Sequence, residues 1–342
     1  MKAVVQEGYG SLDALQIQEV EKPAPGDDEV LVRVRAASVH PDVWHVVSGR
    51  PYVLRLMGAG FFKPKNPIPG TDMAGVVEAV GKNATRFQLG DEVFGETIRG
   101  HQWTNGGAYA EYATAPEYAL ALKPANVTFE QAAAVPTSTI IALPALRGEG
   151  RIQAGQKVLV NGAGGGVGAV AVQLAKAFGA DVAGVDSTAK LDLLRSIGAD
   201  QVIDYTQDDF TQRGERYDLI FDIPGNHSLS DCRRTLTPGG TYVLIGHDNY
   251  GDGMRRWVGL LPRMFKLMAM SPFVSQLPDV RFSMPDKTES MALLKDLLES
   301  GKLTPHIDKT FPLNEVPEAI RYLQEGHAKG KVVITIGHNN KT

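Results

Sequence analysis

The stretch NGAGGGVG at residues 161–168 decides the fold of this chain. It follows an apolar run at 157–160 that predicts a strand, and it leads into a run at 167–178 that predicts a helix. Glycines at such a turn let the backbone approach a pyrophosphate, and the N-terminus of the helix favours its negative charge. The turn therefore predicts dinucleotide binding, against the alternative of a glycine-rich turn that binds nothing.

The sequence of the turn also indicates which residues would contact the cofactor. From its third residue onward it reads A-x-G-x-x-G, which departs from the strict pattern only in its first position. The strand, turn, helix and second strand that surround it all agree with the dinucleotide interpretation. The predicted contacts in the turn are Ala163, Gly165, Gly166, Val167 and Gly168.

Cofactor preference depends on the residues that follow the second predicted strand, at 181–185. Asp186 stands where an acidic residue accepts the ribose 2′-hydroxyl and selects NAD. Ser187 and Lys190 follow at once, and their hydroxyl and ammonium groups could hold the 2′-phosphate of NADP. An exposed helix lysine is the alternative interpretation of Lys190. Because these two signals conflict, neither cofactor is excluded, and NADP(H) is favoured over NAD(H).

Strands and helices alternate from residue 156 onward. Continuous apolar strands that alternate with helices predict a parallel sheet covered on both faces. The predicted strands lie at 157–160, 181–185, 201–204, 217–222 and 240–246, and the predicted helices at 167–178 and 189–196.

The first third of the chain has a different sequence pattern, with short predicted strands separated by Gly and Pro. Strands are predicted at 29–35, 75–81, 91–95 and 108–113, and their spacing favours a small barrel-like β domain. Thr128 and Gln131 predict a capping box at the start of a helix. Two helices, at 290–299 and 316–325, and a strand at 331–336 are predicted to return to the first domain.

Composition excludes several classes of protein. The 342 residues suggest two domains, and 43% hydrophobic with 22% charged residues exclude intrinsic disorder. A net charge of -4 shows no excess of the basic residues that a general nucleic-acid binder needs. Cys232 is the single cysteine, which excludes an intrachain disulfide. No apolar run follows Lys2, so we expect a cytoplasmic protein rather than a secreted one. The uncharged run at 158–175 reads as strand, turn and helix, so no integral membrane span is expected.

Several motifs together resemble one known family over residues 1 to about 337. The chain is similar to the zinc-free quinone oxidoreductase branch of the medium-chain dehydrogenase/reductase superfamily. The resemblance implies an α/β fold in which a Rossmann parallel-sheet domain, at 126–284, is inserted in a GroES-like β-barrel catalytic domain, at 1–125 and 285–342. Substrate would bind in the cleft between them. Besides the glycine turn, the motifs are ASVHPDVW at 37–44, IPGTDMAG at 68–75, GDEVFG at 90–95, AAAVP at 132–136 and SIGAD at 196–200.

This resemblance implies a reductase that uses NADPH on a small electrophilic substrate, a quinone or an α,β-unsaturated carbonyl. It also implies a homodimer joined through the edge strands of the Rossmann sheets, near 242–245. Relatives often have Thr near the nicotinamide at the position of Ile141, and its replacement leaves cofactor contacts there to Thr137 or Ser138. Tyr205 matches a tyrosine that some relatives place beside the adenosine phosphate. Gly225, Gly246 and His247 end strands on the side where ligands bind in open α/β sheets.

Zinc-dependent relatives hold a catalytic metal at positions that match His40, Thr71 and Thr137. One imidazole and two neutral hydroxyls are a poor zinc set, and the stretch that matches the structural zinc site, 95–112, contains no cysteine. We therefore expect no metal site. Without that Lewis acid, reduction of an activated acceptor is favoured over oxidation of an alcohol.

His40 and Tyr52 are the candidate catalytic residues. His40 stands where this family usually has Asn, so it could donate a hydrogen bond to a carbonyl oxygen or supply a proton. A tyrosine near Tyr52 lines the pocket in several relatives. The alternative for both residues is a role in lining or packing a loop.

Other functions stay open from the sequence. A redox sensor or scaffold that binds NADPH with little turnover would carry the same glycine turn. A zinc alcohol dehydrogenase would need stoichiometric metal. The basic, apolar stretch at 254–270 could lie on an anionic membrane, although a helix over the cleft or at the dimer contact is favoured. Pro262 is expected to interrupt a continuous helix there.

Overall fold

Two units make up the described part of the chain, which a computed structural model gives as residues 1–99, 104–246, 255–278 and 286–338. The first unit comprises Met1–Thr137, Asp286–Ser300 and Pro305–Thr342, and the second comprises Ser138–Pro285 and Gly301–Thr304. The first unit therefore extends past the predicted boundary at residue 125.

Strands are numbered along the chain. They are β1 (Lys2–Gln6), β2 (Leu15–Glu19), β3 (Glu29–Val39), β4 (Asp72–Val80), β5 (Glu92–Glu96), β6 (Tyr112–Pro116), β7 (Leu120–Leu122), β8 (Lys157–Asn161), β9 (Asp181–Asp186), β10 (Gln201–Asp204), β11 (Tyr217–Asp222), β12 (Leu236–Leu244), β13 (Ile307–Pro312) and β14 (Lys331–Thr335). The helices are α1 (Pro41–Ser48), α2 (Phe129–Ala133), α3 (Pro136–Pro144), α4 (Gly166–Ala177), α5 (Leu191–Ser196), α6 (Leu229–Arg234), α7 (Arg255–Val258), α8 (Leu261–Met270), α9 (Lys287–Glu299) and α10 (Val316–Gln324).

The first unit is built around β3. This strand belongs to a seven-stranded sheet of order β13-β14-β3-β4-β5-β7, in which β6 also pairs with β3. The alternation that predicts a strand at 29–35 is confirmed, because Val30, Val32 and Val34 are buried in the core. The strand continues to Val39, so His40 stands at its carboxyl end.

The strand predicted at 108–113 is only partly correct. Residues 112–116 form β6, whereas Ala110 makes a single bridge with Ala3. The N–H groups of Ala108 and Tyr109 donate to the carbonyls of Gly70 and Pro69, so this backbone follows a loop instead of a strand.

The second unit contains the parallel sheet that the alternating strands predict. Its order is β10-β9-β8-β11-β12, and every neighbouring pair is parallel. The chain leaves β8 toward β9 on one side and later returns to β11 on the other. Ligands bind at the carboxyl ends of the strands where the order reverses in this way, which is the end of β8.

Local signals correctly predict two helix boundaries. Thr128 and Gln131 form the expected capping box, with reciprocal bonds of 3.2 and 3.0 Å. The helix that they start, α2, packs against β3 and β4, which explains why the first unit extends beyond residue 125. Pro262 lies in the first turn of α8, separate from α7, as its missing N–H requires. Met254 lies outside the described residues.

The run at 158–175 forms β8 and α4. No helix within the described residues has both the length and the apolar character needed to cross a membrane.

Candidate active site

The glycine turn connects β8 to α4 in the second unit. Gly162 has a φ of 82°, a left-handed conformation that favours glycine. The N–H groups of Gly162 and Ala163 both donate to the carbonyl of Val185, each at 3.0 Å, which ties the turn to β9. A Cβ at Gly168 would lie 2.1 Å from the carbonyl oxygen of Gly162, so this glycine lets the helix approach the turn.

Gly165 has a different environment. It precedes the first residue of α4 with extended backbone, and a Cβ there would meet nothing closer than the Gly162 oxygen at 3.5 Å. Gly166, Val167 and Gly168 form the first turn of α4, where N–H groups have no acceptor within the helix. The predicted residues therefore lie together in a turn that has open space and backbone donors, a combination that suits a pyrophosphate.

Asp186 ends β9 and turns its carboxylate toward the glycine turn. Its Oδ2 accepts from the N–H of Gly164 at 2.8 Å, and its Oδ1 accepts from the N–H of Ser187 at 2.8 Å. The Nζ of Lys190 lies 3.8 Å from the same Oδ1. Both side chains are largely buried, so the exposed-lysine interpretation is wrong: the residues that gave conflicting signals form an ion pair.

Tyr205 belongs to the same end of the sheet. Asp204, the last residue of β10, is in register with Asp186, and the N–H of Tyr205 donates to the carbonyl of Asp186 at 3.1 Å. The Tyr205 side chain is exposed. Ser187, Lys190 and Tyr205 therefore lie around the carboxyl ends of β9 and β10, next to the turn.

A buried carboxylate organises the neighbouring strand ends, and sequence reasoning missed it. Oδ1 of Asp222 accepts from Asn161 Nδ2 at 2.9 Å and from the N–H of Gly225 at 3.1 Å. The hydroxyl of Tyr242 donates to Oδ2 at 2.7 Å. Arg263 of α8 donates to the carbonyl of Gly225, which fixes the loop after β11.

The two remaining predicted cofactor contacts are Gly246 and His247. Gly246 lies close to Ile223, since a Cβ there would be 3.0 Å from the Ile223 carbonyl oxygen. His247 lies outside the described residues.

His40 is buried at the junction of β3 and α1 in the first unit. Its Nε2 lies 2.6 Å from the hydroxyl oxygen of Thr71, and its Nδ1 lies 3.4 Å from Oδ2 of Asp42. Tyr52 is only half-buried, and the guanidinium of Arg55 lies 4.7 Å from the centre of its ring.

Thr137 lies between two buried carboxyl groups that the sequence does not reveal. Its Oγ1 is 2.5 Å from Oδ1 of Asp72 and 2.8 Å from Oε1 of Glu96. Ser38 also donates to Asp72, at 3.0 Å, and Lys287 Nζ lies 2.7 Å from Oε2 of Glu96. All of these contacts lie within the first unit.

A threonine hydroxyl carries only one hydrogen, and that of Thr137 faces two carboxyl oxygens at once. Burial raises the pKa of Glu96, the charge of Asp72 raises it further, and Lys287 opposes both effects.

Comparison with known proteins identifies the family. The GroES-like domain of alcohol dehydrogenases matches residues 26–125, and a family described as zinc-binding dehydrogenase matches residues 197–334. A human protein named quinone oxidoreductase is 30% identical, with 98% of each chain covered. The chain belongs to the quinone oxidoreductase branch of the medium-chain dehydrogenase/reductase superfamily.

Further members of the superfamily agree with this assignment. An Arabidopsis thaliana protein named NADPH-dependent alkenal/one oxidoreductase, chloroplastic, is 34% identical over 98% of this chain and 79% of its own length. The solved structure of the quinone oxidoreductase from Coxiella burnetii has a TM-score of 0.81 and 26% identity, and it covers 98% of this chain and 99% of that one.

The residues that, by the resemblance, match zinc ligands in other branches of the superfamily form hydrogen bonds with neighbouring side chains. His40 and Thr71 bond to each other, and the hydroxyl of Thr137 is engaged by Asp72 and Glu96. Within residues 1–99, 104–246, 255–278 and 286–338, no three His, Cys, Asp or Glu side chains are grouped as metal ligands. The same bonds occupy the Thr137 hydroxyl hydrogen, so its predicted contact with cofactor would have to use other atoms.

Proposed function

We propose that this chain is an NAD(P)H-dependent reductase of quinones or α,β-unsaturated carbonyls, with NADP(H) favoured over NAD(H). The glycine turn carries the proposal, because it combines open space at Gly165 with the donors of the first turn of α4. The printed names of the Arabidopsis and human relatives support the cofactor and the acceptor class.

The residues of the second unit bind and orient the cofactor in this proposal. N–H groups of Gly166 and Val167 donate to the pyrophosphate, and Ser187 and Lys190 hold a 2′-phosphate. Asp186 offsets part of the Lys190 charge, so we expect NADH to be accepted as well. When bound, the reduced nicotinamide supplies the hydride.

His40 is proposed to donate a hydrogen bond to the acceptor oxygen. Neutral His40 can accept from Thr71 at Nε2, which leaves the proton on Nδ1, an atom without a hydrogen-bond partner among the described residues, available to donate. A His40→Asn variant keeps a side-chain donor but removes the imidazole: unchanged turnover excludes proton supply by His40, and a large loss of turnover supports it. Tyr52, as a second contact with substrate, stays a prediction.

We also propose that the reaction needs no zinc. The side chains at the matching positions are an imidazole bonded to a hydroxyl and a hydroxyl engaged by two carboxyls, which is a poor zinc set. Added zinc should therefore leave turnover unchanged.

Homodimerisation near 242–245 and a cytoplasmic location also stay predictions. Among the strands that the structure describes, β12 is the last on its side of the sheet, which suits pairing with another chain. However, the N–H of Tyr242 already donates to the carbonyl of Gln276 at 2.8 Å. Pairing of two β12 strands would have to displace the segment at 274–277.

Steady-state oxidation of NADPH and NADH tests the function. The acceptors are 1,4-benzoquinone, 9,10-phenanthrenequinone and a medium-chain enone, each with and without a chelator. Turnover that the chelator does not change, with higher kcat/KM for NADPH, is the expected result. Tight NADPH binding without turnover would favour the sensor or scaffold function, and chelator-sensitive turnover would favour a zinc enzyme.

A further inference from the structure

One loop of the first unit exposes several large apolar side chains together. Leu56 is 71% exposed, Phe61 60% and Phe62 84%, and Met57 is also exposed. A soluble protein normally exposes such side chains singly, and a group of them marks an interaction surface. Neither the proposed reaction nor the cofactor site uses these residues.

The loop is compact, so its exposed residues lie close together. The N–H of Lys65 donates to the carbonyl of Ala59 at 3.0 Å, which closes the loop at 59–65. The Tyr9 hydroxyl donates to the carbonyl of Gly60 at 2.7 Å and anchors it to the unit. The rings of Phe61 and Phe62 are edge-to-face, with centres 4.7 Å apart.

The charge of this segment is opposite to that of the whole chain. Residues 49–71 contain Arg50, Arg55, Lys63 and Lys65 and no acidic residue, although the net charge of the protein is -4. Arg55 is used within the unit, where it donates to the carbonyl of Gly49. Lys63 and Lys65 are exposed, and neither forms an ion pair with a residue that the structure describes.

We propose that this loop, residues 55–67, docks the protein on an anionic lipid surface. Aromatic and aliphatic side chains beside lysines suit the boundary between headgroups and acyl chains, where the apolar groups enter and the ammonium groups meet phosphates. A partner protein with an acidic surface would also meet the lysines. The adjacent Phe61 and Phe62, exposed at the tip of a closed loop, favour insertion into lipid.

A second exposed apolar surface, on α7, α8 and the turn after α8, provides a comparison. Trp257, Phe265 and Phe273 are exposed there, and Phe273 is 88% exposed. Arg263 of α8 donates to the carbonyls of Gly225 and His227, so its charge is used within the second unit. Lys266 is exposed beside Phe265, so the Phe273→Ser variant distinguishes docking through the loop from docking through this second surface.

Flotation of the full chain with vesicles tests the proposal. One vesicle contains phosphatidylcholine alone and the other about one-third phosphatidylglycerol, an anionic lipid. We expect binding to the anionic vesicle that weakens as salt rises. Each lysine near such a surface contributes about fivefold in affinity, so Lys63→Glu with Lys65→Glu should weaken binding about 25-fold or more.

The apolar part is tested by Phe61→Ser with Phe62→Ser, for which we expect about a tenfold or greater loss. Phe273→Ser should bind as the natural chain does. Thermal unfolding of each variant shows whether it folds. Because Phe61 and Phe62 are both exposed, replacing them should leave the melting temperature unchanged. No cofactor or acceptor is present, so the outcome is independent of the proposed reaction.

Three results would overturn the proposal. The first is a folded natural chain that ignores anionic vesicles at low salt. The second is an equal loss of binding in the Phe273→Ser variant, which would move the docking surface to α8. The third is sedimentation in which Phe61→Ser with Phe62→Ser converts a dimer to a monomer, because a second copy would then cover the loop.

Discussion

Replacing Gly165 by alanine separates cofactor binding from packing in the glycine turn. The added methyl would meet nothing closer than 3.5 Å within the chain, and the backbone there is extended, so the protein should fold. Glycine is favoured over alanine at the position before a helix, so the substitution should lower the free energy of unfolding by about 1 kcal/mol or less. The same methyl projects where the pyrophosphate would approach the first turn of α4. Losing one or two charge-assisted hydrogen bonds there should weaken NADPH binding about 100-fold.

Gly168→Ala is the matched control. Its methyl would lie 2.1 Å from the Gly162 oxygen and 2.7 Å from the Cα of Ala163, both backbone atoms that cannot rotate away. Such overpacking costs about 1–3 kcal/mol, so the melting temperature should fall by several degrees. Calorimetric titration with NADPH and thermal unfolding measure the two effects. If Gly165→Ala binds NADPH within twofold of the natural chain, the cofactor does not approach this turn and the reasoning fails.

Three further predictions concern charged groups. Asp186→Ala removes the partner of Lys190, so the kcat/KM ratio of NADPH to NADH should rise about tenfold; an unchanged ratio would contradict this role. Burial raises the pKa of Glu96, so as pH rises above 4.5 the natural chain should lose unfolding free energy relative to Glu96→Gln; a pH dependence that is the same in both chains would refute this. Burial lowers the pKa of His45, so stability should fall as pH falls below 6.5; His45→Gln should remove that dependence, which urea unfolding measures.

The turn and the sheet could be predicted because their signals are local. Gly162 needs its left-handed backbone, and Thr128 and Gln131 bond to each other across three residues. The parallel sheet follows from apolar strands alternating with helices, each of which is visible within one short window.

The polar cluster could not be predicted because its members are distant in sequence. Asp72 and Glu96 bond to Thr137 across 65 and 41 residues, and Lys287 comes from α9. No periodic pattern specifies such a contact. The same is true of Arg263 and the loop after β11, which meet across 38 residues.

The cofactor preference could not be predicted from the sequence for a different reason. The sequence supplies both Asp186 and Lys190, and their types alone support opposite cofactors. Only side-chain directions show that Asp186 accepts from Gly164 and faces Lys190. The balance of charge at the 2′-position is therefore a three-dimensional property.

The position of deuterium in the product tests the central claim most directly. The chain would be given a medium-chain enone and NADPH carrying two deuterium atoms at C4 of the nicotinamide, with a chelator present. We predict one deuterium at the β-carbon of the saturated product and a solvent proton at the α-carbon. Product that lacks deuterium at the β-carbon, or no product from a chain that binds NADPH, would contradict the claim.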